Sequence, residues 1–248
     1  MSDDLFDRFL DEVVKSDKAE LDKSVEVADP TVDRLPVVMA IDRSYSTEET
    51  GDIRDISSRL QDLARNIADA RSVEWERVRA AIDLAVVSYG GDVRVDLDWT
   101  QGVHLRQDSV ASMVGSGGTP MGAALEKAVK LMIQRLAYYR HHDVRANRGY
   151  IFNVTDGNPT DMDPNGEDAQ QLDRWGRVKA ALDMFETAGS TSNAYAQTYH
   201  FASRSANRDL LRTLAYTDDR VVDLHTADFE RLFEFVRVSL LAALDEDC

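Results

Sequence analysis

Short apolar runs alternate along the chain with longer segments in which apolar residues recur every three or four positions. A short apolar run predicts a buried strand, and the three-to-four spacing predicts a helix with one buried face. The runs that predict strands are Leu35–Asp42, Ile82–Gly90, Gly149–Gly157, Ala194–Ala202 and Arg220–Leu224. The segments that predict helices are Ile53–Ile67, Pro120–Tyr139, Gln171–Ala188, Asn207–Leu214 and Phe229–Leu244. Because strands alternate with helices, we expect a doubly wound α/β fold, with a mostly parallel central sheet and helices on both faces.

One strand is expected to run against the others. Val93–Trp99 alternates apolar and polar residues, and the turn Gly90–Asp92 separates it from the preceding run. This pattern predicts a β-hairpin whose second strand forms an antiparallel edge of the sheet.

The composition argues against several classes of protein. The formal net charge is −16, and the only basic stretch, Arg140–Arg148, is short, so we expect no nucleic-acid partner. No run of about 18 apolar residues is present, so we expect no membrane span. The acidic N-terminus lacks the features of a secretory signal, and we interpret the protein as cytoplasmic. The single cysteine, Cys248, excludes an intramolecular disulfide.

The first 34 residues differ from the rest of the chain. Six apolar residues recur there at helical spacing and predict a short amphipathic helix: Leu5, Phe6, Phe9, Leu10, Val13 and Val14. A polar, charged linker follows it. We therefore divide the chain into an acidic arm, 1–34, and one α/β domain, 35–248. The helix packs on its own domain or docks on a partner, and the sequence leaves both interpretations open.

Oxygen-bearing side chains stand in three segments at predicted strand ends and helix starts. The segments are Asp42–Ser46 after the first strand, Gly115–Pro120 before a helix, and Thr155–Gly157 at the end of a later strand. The carboxyl ends of parallel strands meet at one edge of a sheet, where ligands bind. The candidate ligands are Asp42, Ser44, Ser46, Thr119 and Asp156. Such a set suits Mg²⁺, with Mn²⁺ or Ca²⁺ as alternatives, and its two carboxylates leave the metal able to accept another from outside.

The order D-x-S-x-S, distant threonine and T-D-G resembles the metal-ion-dependent adhesion site of von Willebrand factor A domains. This resemblance implies an A-domain fold and a protein-binding, non-enzymatic module. It implies that Ser44 and Ser46 ligate the metal directly. Asp42, Thr119 and Asp156 would do so directly or through water. The sixth position would take an Asp or Glu of a protein partner.

Three longer sequence runs resemble one branch of this family in particular. LPVVMAID, GSGGTPMGAAL and TDGNPTD are similar to intracellular bacterial A-domain proteins found with tellurite-resistance and related stress systems. The resemblance implies a cytoplasmic scaffold or adaptor in a stress response.

The first motif also departs from the family pattern. Arg43 and Tyr45 replace residues that are usually small. Tyr45 would narrow access to the metal or contact the ligand, and the Arg43 guanidinium would replace the cation in a metal-free scaffold. Gly118 and Asp161 are further candidates for the surroundings of the site. Asp161 either orients the loop backbone or is an exposed turn residue.

An enzymatic alternative stays open. A metal at a strand-end crevice could activate water in a phosphoester hydrolase. The sequence contains no phosphate-binding P-loop, no G-x-S-x-G and no H-E-x-x-H, so we expect no enzyme. Asp42, Ser44 and Ser46 could also simply cap a turn.

Overall fold

A computed structural model describes residues 10, 12–15, 31–156, 158–187, 195–203, 206–224 and 229–245. Several predicted features fall on other positions and lie outside the described residues: Leu5, Phe6, Phe9, the linker 16–30, Gly157, Ala188, Ala194 and Cys248. Among the helices of the described ranges, none has the length and hydropathy needed to span a membrane.

The central sheet has six strands in the order β3-β2-β1-β4-β5-β6. The strands are β1 (Leu35–Asp42), β2 (Ile82–Gly90), β3 (Asp92–Gln101), β4 (Gly149–Thr155), β5 (Ala196–Ala202) and β6 (Val221–Asp223). All neighbouring strands pair in parallel except β2 and β3. The predicted mostly parallel sheet with one antiparallel edge strand is therefore confirmed.

Seven α-helices accompany these strands in the described residues from 31 onward, and the described residues 10 and 12–15 are also helical. The seven helices are α1 (Tyr45–Thr50), α2 (Asp52–Asp69), α3 (Val73–Ala81), α4 (Met121–His141), α5 (Ala169–Thr187), α6 (Arg208–Leu214) and α7 (Phe229–Asp245). Short 3-10 turns stand at Gly102–His104 and Asp218–Arg220. The helices predicted from apolar spacing are present, whereas α1 and α3 were not predicted.

Two apolar clusters cover the two faces of the sheet. In β1, Val38 and Ala40 belong to the first cluster, together with residues of α4, α5 and α6. Met39 and Ile41 belong to the second, together with residues of α2, α3 and α7. Successive side chains of a strand point to opposite faces, so β1 is buried on both sides. This burial explains why its sequence is one continuous apolar run.

The first cluster also receives the described part of the N-terminal helix. Leu10 is buried in that cluster, and Val13 and Val14 pack against it. These three residues therefore lie on the domain's own core.

A charged cluster lies at the opposite edge of the sheet from the candidate ligands. Asp83, near the start of β2, is fully buried and forms ion pairs with Arg34 and Arg135. The Tyr139 hydroxyl donates a hydrogen bond to the same carboxylate at 2.5 Å. A buried carboxylate with such partners ties the strand to its surroundings, and removing one partner would leave an uncompensated charge.

Candidate metal and partner site

Asp42 is the last residue of β1 and lies beside Tyr89 at the end of β2. Its side chain is fully buried. Oδ1 accepts a hydrogen bond from the Ser44 amide at 2.9 Å, and Oδ2 accepts one from the Thr155 hydroxyl at 2.9 Å. Burial, and then repulsion from Asp156, raises the pKa of Asp42 to about 6. The fold thus holds this carboxylate in place at a cost to its charged form.

A chain of oxygen atoms joins the first motif to Asp156. The hydroxyls of Ser44 and Ser46 lie 3.0 Å apart, and the Ser46 hydroxyl donates a hydrogen bond to Asp156 Oδ2. The Asp156 side chain is buried, and its Oδ1 has no hydrogen-bond partner among the described residues. The structure therefore brings together Asp42, Ser44, Ser46 and Asp156.

Thr119 approaches this cluster through its loop. The residue is buried, and its carbonyl accepts a hydrogen bond from the Thr160 amide at 2.9 Å. Two residues earlier, the Gly117 carbonyl accepts one from the Tyr45 amide at 3.0 Å. The loop that carries Thr119 is thus bonded both to the segment after β1 and to the segment after β4.

The loop that carries Thr119 packs so closely against the β2–β3 turn that there is no room for a side chain at Gly90 or Gly117. The Gly91 amide donates a hydrogen bond to the Gly118 carbonyl at 2.8 Å. A Cβ on Gly90 would lie 2.7 Å from the Ser116 carbonyl oxygen, and Gly117 adopts a φ of 66°. Glycine is required here because only it tolerates both the approach and the left-handed conformation.

The Arg43 side chain binds this loop to the neighbouring strands. Its side chain is buried, with Nε donating to Ser88 Oγ at 3.1 Å and Nη1 donating to Ser116 Oγ at 2.6 Å. Its Nη2 forms an ion pair with Asp92 in the hairpin. The guanidinium therefore ties the loop to β2 and β3, and its hydrogen-bond and ion-pair partners among the described residues are Ser88, Ser116 and Asp92. This geometry gives no support to the hypothesis that Arg43 replaces the cation.

Three further candidates surround the cluster. Tyr45 begins α1 with 63% of its surface exposed, and Gly118 is also exposed. Asp161 accepts hydrogen bonds at 2.9 Å from the amides of Gly122 and Ala123, and Arg174 donates to it at 3.0 Å. It therefore caps the start of α4, directly after Thr119, instead of standing free in solvent.

Sequence reasoning missed two contributors. Thr155 donates directly to Asp42, and Thr160 binds the carbonyl of Thr119. Both threonines belong to the T-D-G-N-P-T-D run, so their position in that run was the available signal.

The five candidate metal ligands include only two charged side chains, Asp42 and Asp156. In the described part of the chain, no three His, Cys, Asp or Glu side chains are grouped closely enough to hold a metal ion. A cation at this edge would depend on two carboxylates, neutral hydroxyls and water, a combination that hard cations such as Mg²⁺ accept.

Residues 37–236 match the model of the von Willebrand factor type A domain, and the chain belongs to that family. Domains of this family act mostly as adhesion and protein-interaction modules and not as enzymes. A search of curated proteins finds no match.

Solved structures with the same fold include two pilus proteins and a protein of the mussel byssus. The open conformation of the pilus adhesin SpaC from Lactobacillus rhamnosus GG superposes with a TM-score of 0.60 at 12% identity, covering 85% of this chain and 30% of that one. The vWF domain of the type V pili tip protein Mfa5 from Porphyromonas gingivalis gives 0.57 at 12% identity, covering 87% and 97%. Proximal thread matrix protein 1 gives 0.51 at 14% identity, covering 86% and 47%. The chain thus spans under a third of the SpaC chain, and these likenesses show the fold alone.

Proposed function

We propose that this domain binds another protein through a divalent cation held by Asp42, Ser44, Ser46, Thr119 and Asp156. The observation that carries the proposal is the pair of buried carboxylates, Asp42 and Asp156, neither of which forms an ion pair with a lysine or arginine of the described residues. Asp156 Oδ1 is buried and unpartnered among the described residues, and Asp42 has a pKa raised to about 6. Burying an unpaired carboxylate is costly, and a cation between the two would offset that cost.

The charge balance defines what the cation would bind. Two carboxylates neutralise a divalent ion formally, while the three hydroxyls add no charge. When bound, the ion supplies a Lewis-acidic position that accepts a further oxygen ligand. An Asp or Glu of a protein partner suits it, and Mg²⁺ is the expected ion, with Mn²⁺ or Ca²⁺ as alternatives.

The surroundings of the site support a protein partner. Tyr45 and Val114 are 63% and 72% exposed, and each adjoins a segment that carries a candidate ligand. An exposed tyrosine beside a polar centre is typical of protein-binding surfaces, and Val114 adds exposed apolar surface next in sequence to a ligand-bearing loop. The net charge of −16 argues against a nucleic acid as the ligand.

The cellular setting belongs to the same proposal. The runs LPVVMAID, GSGGTPMGAAL and TDGNPTD support a cytoplasmic adaptor in a bacterial stress-response system like that of tellurite resistance. Such an adaptor would link other proteins without performing chemistry itself.

Calorimetric titration of Mg²⁺, then Mn²⁺, into chelator-stripped protein tests the cation site. We expect saturable binding at one site in the natural protein, loss of binding in Asp156→Asn, and unchanged binding in Asp62→Asn. Asp62 lies on the exposed side of α2, so the control makes the same charge change away from the site.

A repeat of the titration in acetate supplies a free carboxylate for the open position. Acetate should raise the cation affinity of the natural protein but not that of Asp156→Asn. If neither ion binds in either condition, or if the two variants bind equally, the proposed function is wrong.

A further inference from the structure

A cleft of about 520 Å³ opens between the loop after β4 and the start of α6. This volume lies within the range of about 300–1,000 Å³ that is usual for ligand sites. Its walls include Asn158, Pro159 and Asp163 on one side and Asn207, Asp209 and Leu210 on the other. It contains none of the candidate metal ligands, so it is a separate feature of the surface.

The cleft lies at the same edge of the sheet as the candidate metal site. Asn158 is two residues beyond Asp156, a separation that an extended chain spans in about 7 Å. Its side-chain amide also donates a hydrogen bond to the Asp156 carbonyl at 3.4 Å. On the other wall, α6 follows β5, whose exit is tied to β4 by the bond from the Ser203 amide to the Thr155 carbonyl at 2.9 Å. A segment seated over Asp156 is therefore adjacent to the cleft.

The lining combines apolar walls with negative charge. Pro159, Pro164 and Leu210 provide apolar surface. The charged lining residues in the described part of the chain are Asp163 and Asp209, with no lysine or arginine among them.

The two carboxylates have different local partners. Asp163 accepts a hydrogen bond from the Asn165 amide at 2.8 Å. The Asp209 side chain is 95% exposed, with Arg212 of its own helix at 3.4 Å. Both negative charges thus remain available at the cleft, one held by a turn and the other in a weak surface pair.

Such a lining fits a lysine or arginine side chain. These residues pack their methylene stems on apolar surface while the charged head reaches carboxylates and water. A purely acidic partner would also be repelled by a domain with a net charge of −16, and a neighbouring basic residue offsets that repulsion.

We propose that the partner carries a Lys or Arg a few residues from the Asp or Glu that completes the cation site, and that this cleft binds the basic side chain. A short spacing is expected because Asn158, in the wall of the cleft, is two residues from Asp156, and each residue of an extended partner segment adds about 3.3–3.6 Å. The proposal rests on the proposed function, because it places the acidic residue on the cation. It adds the chemical class of the recognised segment, an acidic residue with a basic companion.

Selection from a random heptapeptide display library in Mg²⁺ tests this pairing. The targets are the natural protein, the cleft variant Asp163→Asn with Asp209→Asn, and the control Glu76→Gln with Asp108→Asn. The control makes the same charge change at exposed positions that do not line the cleft. The natural protein and the control should enrich Asp or Glu together with a nearby Lys or Arg.

The cleft variant should retain the acidic residue and lose the basic one. A synthetic peptide of the selected sequence should bind that variant about three- to tenfold more weakly, as expected for contacts with exposed carboxylates. Acidic residues selected without basic companions would overturn the cleft assignment and leave the cation site standing. Equal loss of the basic residue in the control would also overturn it, since bulk charge would then explain the selection. Enrichment of both residues that persists in EDTA would support the cleft and overturn the cation-dependent function.

Discussion

Replacement of Asp42 by asparagine separates the cost of the buried charge from the benefit of a bound cation. The side chain is fully buried, and burial raises its pKa from 3.8 to about 6. The folded protein therefore holds this proton more tightly than the unfolded chain does, so stability falls as the pH rises from about 4 to about 6. A difference of about 2 pKa units corresponds to about 3 kcal/mol at pH 7.

Asparagine keeps the size of the side chain and removes the charge. The Thr155 hydroxyl can turn to accept from the new amide group, because a hydroxyl both donates and accepts. The Asp156 amide, which donates to Asp42 Oδ2 at 3.4 Å, loses its acceptor at a cost of about 1 kcal/mol. In EDTA at pH 7 we therefore expect Asp42→Asn to be about 2 kcal/mol more stable than the natural protein, with the advantage gone at pH 4.

Saturating Mg²⁺ should reverse this order. A ligand at 100 times its Kd stabilises the folded state by about 2.7 kcal/mol, and only the natural protein would gain it. Urea unfolding at pH 4 and pH 7, in EDTA and in Mg²⁺, measures all four conditions. If the variant is the less stable protein in EDTA at pH 7, Asp42 carries no unfavourable charge and the reasoning fails.

Three other substitutions test the architecture around the site. Gly117→Ala should lower the free energy of unfolding in urea by about 2–4 kcal/mol, since the φ of Gly117 is 66° and a Cβ would lie 2.8 Å from the Gly91 amide nitrogen. A loss under about 1 kcal/mol would contradict the tight loop contact. Asp83→Asn should cost about 3–5 kcal/mol by the same measurement because it leaves two buried arginines unpaired, and a neutral effect would contradict that ion-pair cluster. Asp161→Ala should lower the free energy of unfolding by about 1 kcal/mol, because it removes the cap of α4. It should also weaken Mg²⁺ binding in calorimetry, because the loop that carries Thr119 leads into that helix. Unchanged affinity would show that the cap does not position the loop.

The strands could be predicted closely because burial on both faces leaves a clear trace in the sequence. Leu35–Asp42 and Ile82–Gly90 match the observed β1 and β2 at both ends. Helix α1, YSTEET, buries only Thr47 and has no apolar spacing to detect. Helix α3 buries only Val78 and Ala81, and its clearest signal is the Ser72 cap, whose side chain accepts from the Trp75 amide.

The site was only partly predictable. The candidate ligands stand at strand ends, and the direction of parallel strands brings strand ends to one edge. The role of Arg43 depends instead on where a β-hairpin and a glycine loop meet, a contact between Gly91 and Gly118 that no local pattern encodes. Sequence reasoning could therefore place the arginine beside the ligands but could not tell that its guanidinium points to Ser88, Ser116 and Asp92.

Under the proposed function, cation binding and partner binding form one linked equilibrium. The glycine contact and Arg43 fix the loop that carries Thr119, so the proposed cation would meet a loop that is already in place. Under the proposed function the protein supplies two carboxylates, and one from the partner would complete the set of oxygen ligands around the ion. Because binding free energies are reciprocal, a partner that raises cation affinity is itself held more tightly by the same factor. Weak binding of Mg²⁺ to the isolated domain is thus compatible with strong cation dependence of partner binding. The informative quantity is the ratio of cation affinities with and without a carboxylate ligand.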